Sequence, residues 1–346
     1  MAITLVTGGS GFIGSHLVAA LVERGERVRI LDLDAPSLPV PGVDVVRGSV
    51  LDPRAVDRAF QGVGCVFHLA AIADLWQPDR AAFARVNQGG TRAVLQAAAK
   101  AGVRRFVHCS TGATLVGRTG PSPVDEHTDP GIGGMMGPYC RSKYRAEKDA
   151  LAAAAEGLPV VVVNPTAPLG PGDRRPTPPT AMVRLFLDGG PRFVLDCLLN
   201  MADVRDVARG MVLAADRGRV GERYILSGTD IPLQDLGARI DALAGRPPRW
   251  RASIPGGVAL AAAHVDEWIS DHLTHRPPRA SLTGVRLALA ARGVDCGKAV
   301  RELGYRFRPF DETLADAVAW LAGRDSVSVR GAVLPTSADK QDYRQA

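Results

Sequence analysis

The chain has 346 residues, 46% hydrophobic and 23% charged, which predicts a globular protein with one large domain and a smaller second unit. Its net charge of +6 comes from scattered arginines, many of them close to acids, so we interpret it as a solvated surface with no nucleic-acid partner. The excess of positive charge also suits an anionic substrate or cofactor. The lack of a long apolar run and of a signal-peptide pattern excludes a membrane span and predicts a cytoplasmic location.

Five cysteines are spread widely along the chain, at Cys65, Cys109, Cys140, Cys197 and Cys296. Their spacing lacks the CxxC pairs and Cys/His clusters of zinc sites, so we predict no bound metal. We interpret them as reduced thiols, as in a cytoplasmic protein.

Short apolar runs alternate with helical patterns over the first 165 residues. The runs predict strands at residues 3–7, 27–33, 43–48, 65–70, 105–110 and 159–164, with helices at 12–25, 53–60, 79–101 and 139–156. Continuous apolar strands separated by helices indicate a parallel sheet covered on both faces, and right-handed crossovers make it doubly wound. We therefore predict an α/β fold with a Rossmann-type domain over residues 1–165.

The pattern loosens after residue 165. Residues 164–180 are rich in proline and glycine and predict a loop. Helices follow near 203–217, 232–244, 256–273 and 311–322, with a short strand at 223–226. We predict that residues 166–323 form a smaller, mostly helical substrate-binding lobe without a regular sheet of its own, whose strands can return to the main sheet. The polar residues 324–346 predict a flexible tail.

Three glycines, Gly8, Gly11 and Gly14, follow the first strand, and Phe12 and Ile13 begin the next helix. In a dinucleotide-binding loop the first glycine permits a tight turn, the second lets the backbone approach a pyrophosphate, and the third allows close packing of helix against strand. The N–H groups at the start of the helix then face the phosphate charge. The strand–loop–helix context predicts that these five residues bind a dinucleotide.

Two aspartates follow later strands of this domain. Asp32 ends the second strand, 18 residues after Gly14, where a carboxylate accepts hydrogen bonds from the adenosine ribose and repels a 2′-phosphate. It predicts NAD(H) as the cofactor over NADP(H), with a strand-end turn as the alternative interpretation. Asp52 precedes Pro53 and suits both a hydrogen bond to the adenine and a helix N-cap.

Five short motifs follow one another in a characteristic order: TGGSGFIG (7–14), HLAA (68–71), VNQGGT (86–91), HCST (108–111) and YCRSK (139–143). With them the chain resembles the extended short-chain dehydrogenases/reductases over roughly residues 2–322. That group includes nucleotide-sugar epimerases and dehydratases, dihydroflavonol reductases and 3β-hydroxysteroid dehydrogenases. The resemblance implies an NAD-dependent enzyme.

Within that group the chain is most similar to the hopanoid-associated sugar epimerases, on segments 139–147, 162–179 and 221–228. Two features depart from the pattern. Ser110 and Thr111 stand where many relatives have two serines, and loop 131–137 is unusually rich in glycine and methionine.

Tyr139 and Lys143 match the YxxxK motif and lie one helical turn apart, so their side chains share a face. A tyrosine hydroxyl with a pKa of about 10 is a poor base at neutral pH, and we expect the nearby ammonium to lower that pKa. Tyr139 is then the predicted proton acceptor and donor for the substrate oxygen. The resemblance implies that both residues also bind the cofactor, Lys143 through the nicotinamide ribose.

The resemblance assigns roles to three further polar residues. Thr111 takes the second place of the family's hydroxyl pair and orients the substrate oxygen, with Ser110 as the alternative. Either hydroxyl can instead be satisfied by the backbone at the strand end. Asn87 braces the active-site backbone and supports a proton path, and its alternative is N-capping or helix packing.

The resemblance also implies contacts on both sides of the cofactor. The fourth-strand motif is expected to contact the cofactor through Leu69, Ala70 and Ala71. The turn that packs on the nicotinamide carboxamide contains Asn164, Pro165 and Thr166. Arg174 and Arg175 lie in the adjoining loop, where their guanidinium groups suit a substrate diphosphate. Solvated loop arginines are the alternative. His68 and His108 lie in predicted buried strands, and we interpret them as core histidines.

Three functions fit these features. The first is a nucleotide-sugar epimerase or dehydratase that keeps NAD bound and uses it transiently. The alternative is a ketone reductase or alcohol dehydrogenase acting on an apolar substrate, which Met135, Met136 and the leucines of the second lobe favour. A non-catalytic NAD-sensing module is disfavoured because Tyr139 and Lys143 are both present. We expect a small-molecule substrate and a homodimer.

Overall fold

The computed structural model describes residues 2–36, 40–117 and 123–323, together with the short backbone segments 328–329 and 332–333. Its main element is a seven-stranded sheet in which every neighbouring pair is parallel. Numbered along the chain and taken in spatial order, the strands are β3 (Val43–Arg47), β2 (Val28–Asp32), β1 (Ile3–Thr7), β4 (Val63–His68), β5 (Arg105–Cys109), β6 (Val160–Pro165) and β10 (Arg223–Leu226). This order confirms the predicted Rossmann-type α/β fold.

Helices connect and cover the strands. They are α1 (Phe12–Glu23), α2 (Pro53–Ala59), α3 (Ala81–Phe83), α4 (Gly90–Ala101), α5 (Pro138–Ala155), α6 (Pro178–Leu187), α7 (Val204–Arg217), α8 (Leu233–Leu243), α9 (Gly256–Ile269), α10 (Leu282–Ala290) and α11 (Phe310–Leu321). Short π-helical turns directly follow α3 and α9, at Ala84–Gly89 and Ser270–Thr274, and a third lies between α10 and α11, at Ala299–Leu303. The sequence patterns predict neither α6 nor α10.

Two apolar cores lie on opposite faces of the main sheet. Helices α1 and α7 cover one face, where Leu17 and Met211 belong to the same core as Val163. Helices α2, α4 and α5 cover the other, where Val94 belongs to the same core as Val162. Val162 and Val163 are successive residues of β6 and therefore point to opposite faces. Burial on both sides explains why the strands are continuous apolar runs.

The second half forms small sheets as well as helices. β7 (Ala167–Leu169) pairs with β9 (Leu198–Asp203), which pairs with β11 (Thr229–Pro232), and β8 (Phe193–Leu195) pairs with β12 (Ala252–Ile254). The expectation that this half has no sheet of its own is wrong, because strands of 3 to 6 residues are too short to show a clear pattern. β10 returns to the main sheet, and the division into two lobes at residue 165 stays a prediction.

Helices α6, α8 and α11 form a third core around Val183, Leu236 and Leu314. The predicted tail, residues 324–346, lies outside the described residues except for the pairing of β13 (Ser328–Val329) with β14 (Ala332–Val333). No helix in the described part of the chain is long and apolar enough to cross a membrane. Within the same ranges, His, Cys, Asp and Glu side chains form no group of three that could hold a metal ion. All five cysteines are free thiols.

Candidate active site

The carboxyl ends of the central strands open into one large cleft. It has a volume of ≈ 2920 Å³ and lies between the loops that follow these strands and residues of the second half. Ligands of doubly wound sheets bind at this edge, where the strand order reverses. The predicted site residues that line the cleft are Gly8, Gly11, Phe12, Ile13, Gly14, Asp32, Leu69, Ala70, Ala71, Ser110, Thr111, Tyr139, Lys143, Pro165, Thr166, Arg174 and Arg175. Asp52, Asn87 and Asn164 are not among the lining residues.

The loop between β1 and α1 requires glycine at two positions. Gly8 has a φ of +73°, and a Cβ atom there would lie 2.7 Å from the Ala70 backbone nitrogen. A Cβ atom on Gly14 would lie 2.1 Å from the Gly8 carbonyl oxygen. Gly11 is the N-cap residue of α1 and provides no side-chain cap, so the first N–H groups of the helix are available to an anion. The loop therefore fits the pyrophosphate of a dinucleotide.

Asp32 holds this loop in place. Its Oδ2 accepts a hydrogen bond from the Ser10 backbone N–H at 2.9 Å, and its Oδ1 accepts one from the Asp34 N–H at 3.4 Å. The carboxylate is half-buried at the end of β2. Its remaining lone pairs can accept hydrogen bonds from ribose hydroxyls.

Asp52 caps helix α2. Its side chain accepts a hydrogen bond from the Arg54 backbone N–H at 3.0 Å, which confirms the capping interpretation. The neighbouring residues Ser49 and Val50 line the cleft, whereas Asp52 does not. A hydrogen bond from the adenine to Asp52 stays a prediction.

Tyr139, Thr111 and Lys143 meet at the carboxyl end of β5. Helix α5 begins at Pro138, which places Tyr139 in its first turn and Lys143 one turn later. The Thr111 side chain lies close enough to Tyr139 to affect the pKa of the tyrosine, and its Oγ1 accepts a hydrogen bond from the Ala113 backbone N–H at 3.2 Å. The Lys143 ammonium donates a hydrogen bond to the Cys109 carbonyl oxygen at 2.7 Å, which fixes it beside the strand end.

Burial is the main influence on the pKa values of Tyr139 and Lys143. It raises the pKa of Tyr139, and the nearby Thr111 side chain opposes this only in part. Burial also lowers the pKa of Lys143, opposed by the nearby Cys109 and Glu147. The expectation of a lowered tyrosine pKa is therefore wrong for the protein alone. Loss of hydration is the dominant effect, and the ammonium is directed at the Cys109 carbonyl.

The buried carboxylate of Glu147 joins the strand ends behind the cleft. It accepts hydrogen bonds from the Ser110 hydroxyl, from Thr114 Oγ1 at 2.8 Å and from Asn164 Nδ2 at 2.8 Å. Its Oε1 pairs with Arg223 Nη1 of β10 at 3.1 Å. This one side chain therefore ties α5 to β5, β6 and β10.

The Glu147 contacts distinguish the two neighbouring hydroxyls. The Ser110 hydroxyl donates to Glu147, whereas Thr111 Oγ1 accepts a hydrogen bond from a backbone N–H and lies near Tyr139. The geometry thus favours Thr111 as the hydroxyl that can reach a substrate oxygen. The sequence motifs did not single out Glu147, although its position four residues after Lys143 places it on the same helical face.

Asn87 connects two segments next to Tyr139. Its Oδ1 accepts a hydrogen bond from the Ile72 N–H at 2.7 Å, and its Nδ2 donates to Ser142 Oγ at 2.9 Å. Ser142 in turn donates to the Tyr139 carbonyl oxygen at 2.7 Å. These contacts fit the bracing role, and a proton path through Asn87 stays a prediction.

His68 and His108 lie side by side in buried strands, with ring centroids 5.6 Å apart. The ring nitrogens of His68 are 2.7 Å from Thr7 Oγ1 and 2.9 Å from Thr91 Oγ1. Burial lowers the pKa of His68 to about 3 and lowers that of His108 well below its usual value. Both are neutral residues of the core, which confirms that interpretation.

Asn164 and Pro165 end β6, and Thr166 follows them. Asn164 Nδ2 donates to the Thr111 carbonyl oxygen at 3.2 Å as well as to Glu147. Thr166 Oγ1 is buried and has no hydrogen-bond partner among the described residues. Because Thr166 also lines the cleft, a polar group of a bound cofactor would satisfy this hydroxyl.

Arg174 and Arg175 are exposed in the loop before α6. Arg175 Nη2 lies 2.6 Å from Asp34 Oδ2, two residues beyond Asp32. The Arg175 side chain is 87% exposed, so this ion pair contributes about 1 kcal/mol or less to stability. Diphosphate binding by the two arginines stays a prediction, and the contact of Arg175 favours a position on the cofactor side of the cleft.

The sequence model of one protein family matches most of the chain. It describes the NAD-dependent epimerase/dehydratase family, and it matches residues 4–227. The chain belongs to this family. It is therefore an NAD-dependent oxidoreductase, and NAD is the cofactor that the glycine loop and Asp32 fit.

Individual members of the family are similar over nearly the whole chain. A Synechocystis sp. protein named "Putative dihydroflavonol 4-reductase" is 37% identical, with 94% of this chain and 96% of the relative covered. Sterol demethylase protein B of Methylococcus capsulatus is 33% identical, with 94% of this chain and 99% of the relative covered. The closer resemblance to hopanoid-associated sugar epimerases stays a prediction.

Solved structures share the fold. The crystal structure of gox2253 matches with a TM-score of 0.79 at 35% identity, covering 94% of this chain and 99% of that one. MoeE5 in complex with UDP-glucose and NAD matches with a TM-score of 0.72 at 26% identity, covering 92% and 98%.

Proposed function

We propose that this family member is an alcohol dehydrogenase or ketone reductase acting on a large apolar substrate. The observation that carries the proposal is the apolar lining of the cleft next to Tyr139. Leu75 and Leu287 pack on the cluster that contains Tyr139, and Val285 and Ile254 continue the lining in a neighbouring cluster. A large apolar molecule would bury its surface against these side chains, as in most small-molecule pockets.

The names of the relatives support the same class. One is named as a reductase, and another is named for a sterol. Both are similar to this chain over more than nine-tenths of its length. The order of the two leading hypotheses from the sequence is therefore reversed in this proposal.

Met135 and Met136 do not belong to the lining. Both are buried in the same cluster as Phe83 and Cys140, and neither lines the cleft. The expectation that they favour an apolar ligand directly is wrong, because they serve as core residues that support Tyr139.

Tyr139 would exchange the proton of the substrate oxygen. When bound, NAD supplies the hydride acceptor or donor. Tyr139 would take the hydroxyl proton during oxidation and donate its own proton to the oxygen during reduction. Thr111 would orient that oxygen through its contact with Tyr139. Lys143 would hold the cofactor ribose, and Asn87 would fix the backbone that carries the tyrosine.

A second candidate is a nucleotide-sugar epimerase or dehydratase that retains NAD. Four arginines on the cleft lining favour it, namely Arg174, Arg175, Arg279 and Arg292, because guanidinium groups suit diphosphates. MoeE5, a structural neighbour, is solved with UDP-glucose and NAD.

The expected cytoplasmic location and the expected homodimer also stay predictions. Sedimentation velocity of the purified protein tests the dimer.

A substrate panel separates the two candidates. The purified enzyme would be incubated with NAD and either large apolar secondary alcohols, including sterols and long-chain 3-hydroxy esters, or UDP-hexoses. The proposal predicts net formation of NADH with at least one apolar alcohol and no turnover of UDP-hexoses. Epimerised or dehydrated UDP-hexose without net NADH, together with inertness towards every apolar alcohol, would favour the second candidate.

A further inference from the structure

Helix α9 and the π-helical turn after it place their acidic side chains on the inner side. Asp266 accepts a hydrogen bond from the Ala280 backbone N–H at 3.0 Å. Glu267 and Asp271 both bind Arg80, at 2.8 and 3.0 Å. Asp271 also accepts a hydrogen bond from the Trp76 indole N–H at 2.9 Å. The carboxylates of this segment are therefore directed towards the rest of the protein.

The outer side of the same segment is largely apolar. Its exposed apolar residues recur at helical spacing, and we call them the α9 face: Val258, Ala261, Ala262, Val265, Trp268 and Leu273. His264, Asp271 and His272 are also exposed on this segment. Val265 is 59% exposed and Trp268 is 54% exposed. Ala259 and Ala263 of α9 are buried in an apolar cluster, so the helix is apolar on both sides, whereas a surface helix normally exposes a polar side. The exposed apolar residues therefore indicate a surface that meets another apolar phase.

The α9 face continues into the mouth of the cleft. Ala262 is exposed on the helix and also lines the cleft. Phe193 of β8 and Leu185 of α6 are likewise both exposed and cleft-lining. β8 pairs with β12, which ends at Ile254, two residues before α9 begins. An apolar molecule could thus pass from the face into the cleft along one apolar rim.

The charges around the face are positive. Residues 246–292 contain seven arginines and no lysine, against three acids, a difference of 7 − 3 = +4. Two of the arginines, Arg246 and Arg251, pair with the buried Asp241, and the other five remain. The three acids are the inward ones already bound to Arg80 and to backbone. Arg276 and Arg279 are exposed between the π-helical turn and α10, and Arg279 lines the cleft. Cationic side chains beside an apolar helix face match an anionic lipid surface.

We propose that the α9 face docks on an anionic phospholipid bilayer, so that an apolar substrate moves between the bilayer and the cleft without crossing water. Trp268 would lie at the lipid–water interface, which tryptophan favours. A second copy of the chain is a poorer occupant, because the net charge of +6 on each copy opposes association, whereas an anionic bilayer attracts it. The lipid nature of the substrate rests on the proposed function, whereas docking itself does not.

Vesicle binding without substrate tests the docking. The full chain with NAD would be floated with vesicles of phosphatidylcholine alone or of phosphatidylcholine mixed with phosphatidylglycerol. Binding to the mixed vesicles is expected, with a blue shift of tryptophan fluorescence that Trp268→Phe reduces. Val265→Glu should weaken this binding about tenfold. The pair Arg276→Ser and Arg279→Ser should weaken it by a similar factor on the mixed vesicles only.

A matched control is Val220→Glu. Val220 is 50% exposed and lies before β10, at the amino end of the sheet and away from the cleft. This variant should bind vesicles like the unchanged protein. Equal binding by Val265→Glu and Val220→Glu, or no binding to mixed vesicles at all, would overturn the proposal. Conversion of a dimer to a monomer by Val265→Glu would assign the face to self-association instead. Vesicle binding with activity only on UDP-hexoses would leave the docking standing and reject the proposed function.

Discussion

The Ser110 hydroxyl donates a hydrogen bond to the buried Glu147 carboxylate. Through this contact Ser110 has a structural role, whereas the neighbouring Thr111 lies near Tyr139. Glu147 lies one helical turn beyond Lys143 and pairs with Arg223, whose side chain is itself largely buried. The carboxylate therefore holds together the strand ends on which the candidate active site is built.

Glu147→Ala should strongly destabilise the fold. It would leave Arg223 without its carboxylate partner and leave Ser110 and Asn164 without their acceptor. Removing one partner of a buried ion pair costs about 3–5 kcal/mol, which denaturant titration would measure. Glu156→Ala, on the exposed end of the same helix, should change stability little. A loss below about 1 kcal/mol for Glu147→Ala would contradict the role assigned to this carboxylate.

Asp32→Ala should weaken NAD binding and reduce the difference between the affinities for NAD and NADP. The unchanged protein should bind NAD at least about tenfold more tightly than NADP, which corresponds to about 1.4 kcal/mol. The variant loses both the ribose acceptor and the hydrogen bond that Ser10 donates to Asp32. Calorimetric titration with both nucleotides measures these affinities. Tighter binding of NADP by the unchanged protein would refute the assignment of Asp32.

Asp52→Ala should affect stability without affecting NAD binding. The variant removes the cap of α2, which costs about 1 kcal/mol, whereas Asp52 does not line the cleft. Thermal unfolding and NAD titration on the same sample separate the two effects. A loss of NAD affinity of tenfold or more would instead support the hydrogen bond between Asp52 and the adenine.

Two leucines of α10 test the apolar lining. Leu287 lines the cleft, whereas Leu289 is exposed and does not. Leu287→Asn should raise the KM for an apolar substrate roughly tenfold, because burying a leucine side chain contributes about 1.5–3 kcal/mol. Leu289→Asn should leave KM unchanged. Equal KM values for both variants would show that the substrate does not contact this side of the cleft.

Acid should destabilise the protein through its buried histidines. Burial lowers the pKa values of His16, His68 and His108 in the folded state. Between these values and the unfolded pKa of about 6.5, the unfolded chain binds more protons, so stability falls as the pH drops below about 6.5. Urea titrations between about pH 7.5 and pH 5 would measure a slope of up to about 1.4 kcal/mol per pH unit for each histidine.

His108→Leu should reduce this slope by the contribution of one group, since the variant no longer has a proton to take up there on unfolding. An unaltered slope in His108→Leu would mean that His108 is protonated in the folded protein.

The local spacing of residues predicts much of this site. Each predicted feature involves residues that are close together in the sequence. These features are the glycines of the first loop, Asp32 at the next strand end, and Tyr139 with Lys143 on one helical turn. The parallel sheet follows from the same kind of pattern, because its buried strands are continuous apolar runs.

Long-range contacts account for what the sequence does not predict. A glutamate in a helix is usually solvated, and only the return of β10 brings Arg223 to Glu147. Likewise, Arg175 meets Asp34 through a loop whose path the proline-rich sequence leaves open. The pKa of Tyr139 depends on its burial, which the YxxxK spacing does not reveal.

The rate of Tyr139→Phe tests the central claim most directly. The substitution removes one oxygen and keeps the ring in its apolar cluster, so stability and NAD affinity should be nearly unchanged. Because general acid–base catalysis contributes roughly 10²–10⁴-fold, turnover should fall by that range. Thr111→Val should cost less, since Thr111 orients the oxygen without transferring a proton. If Tyr139→Phe retains more than about a tenth of the original rate with normal NAD affinity, another group exchanges the proton and the assignment of Tyr139 is wrong.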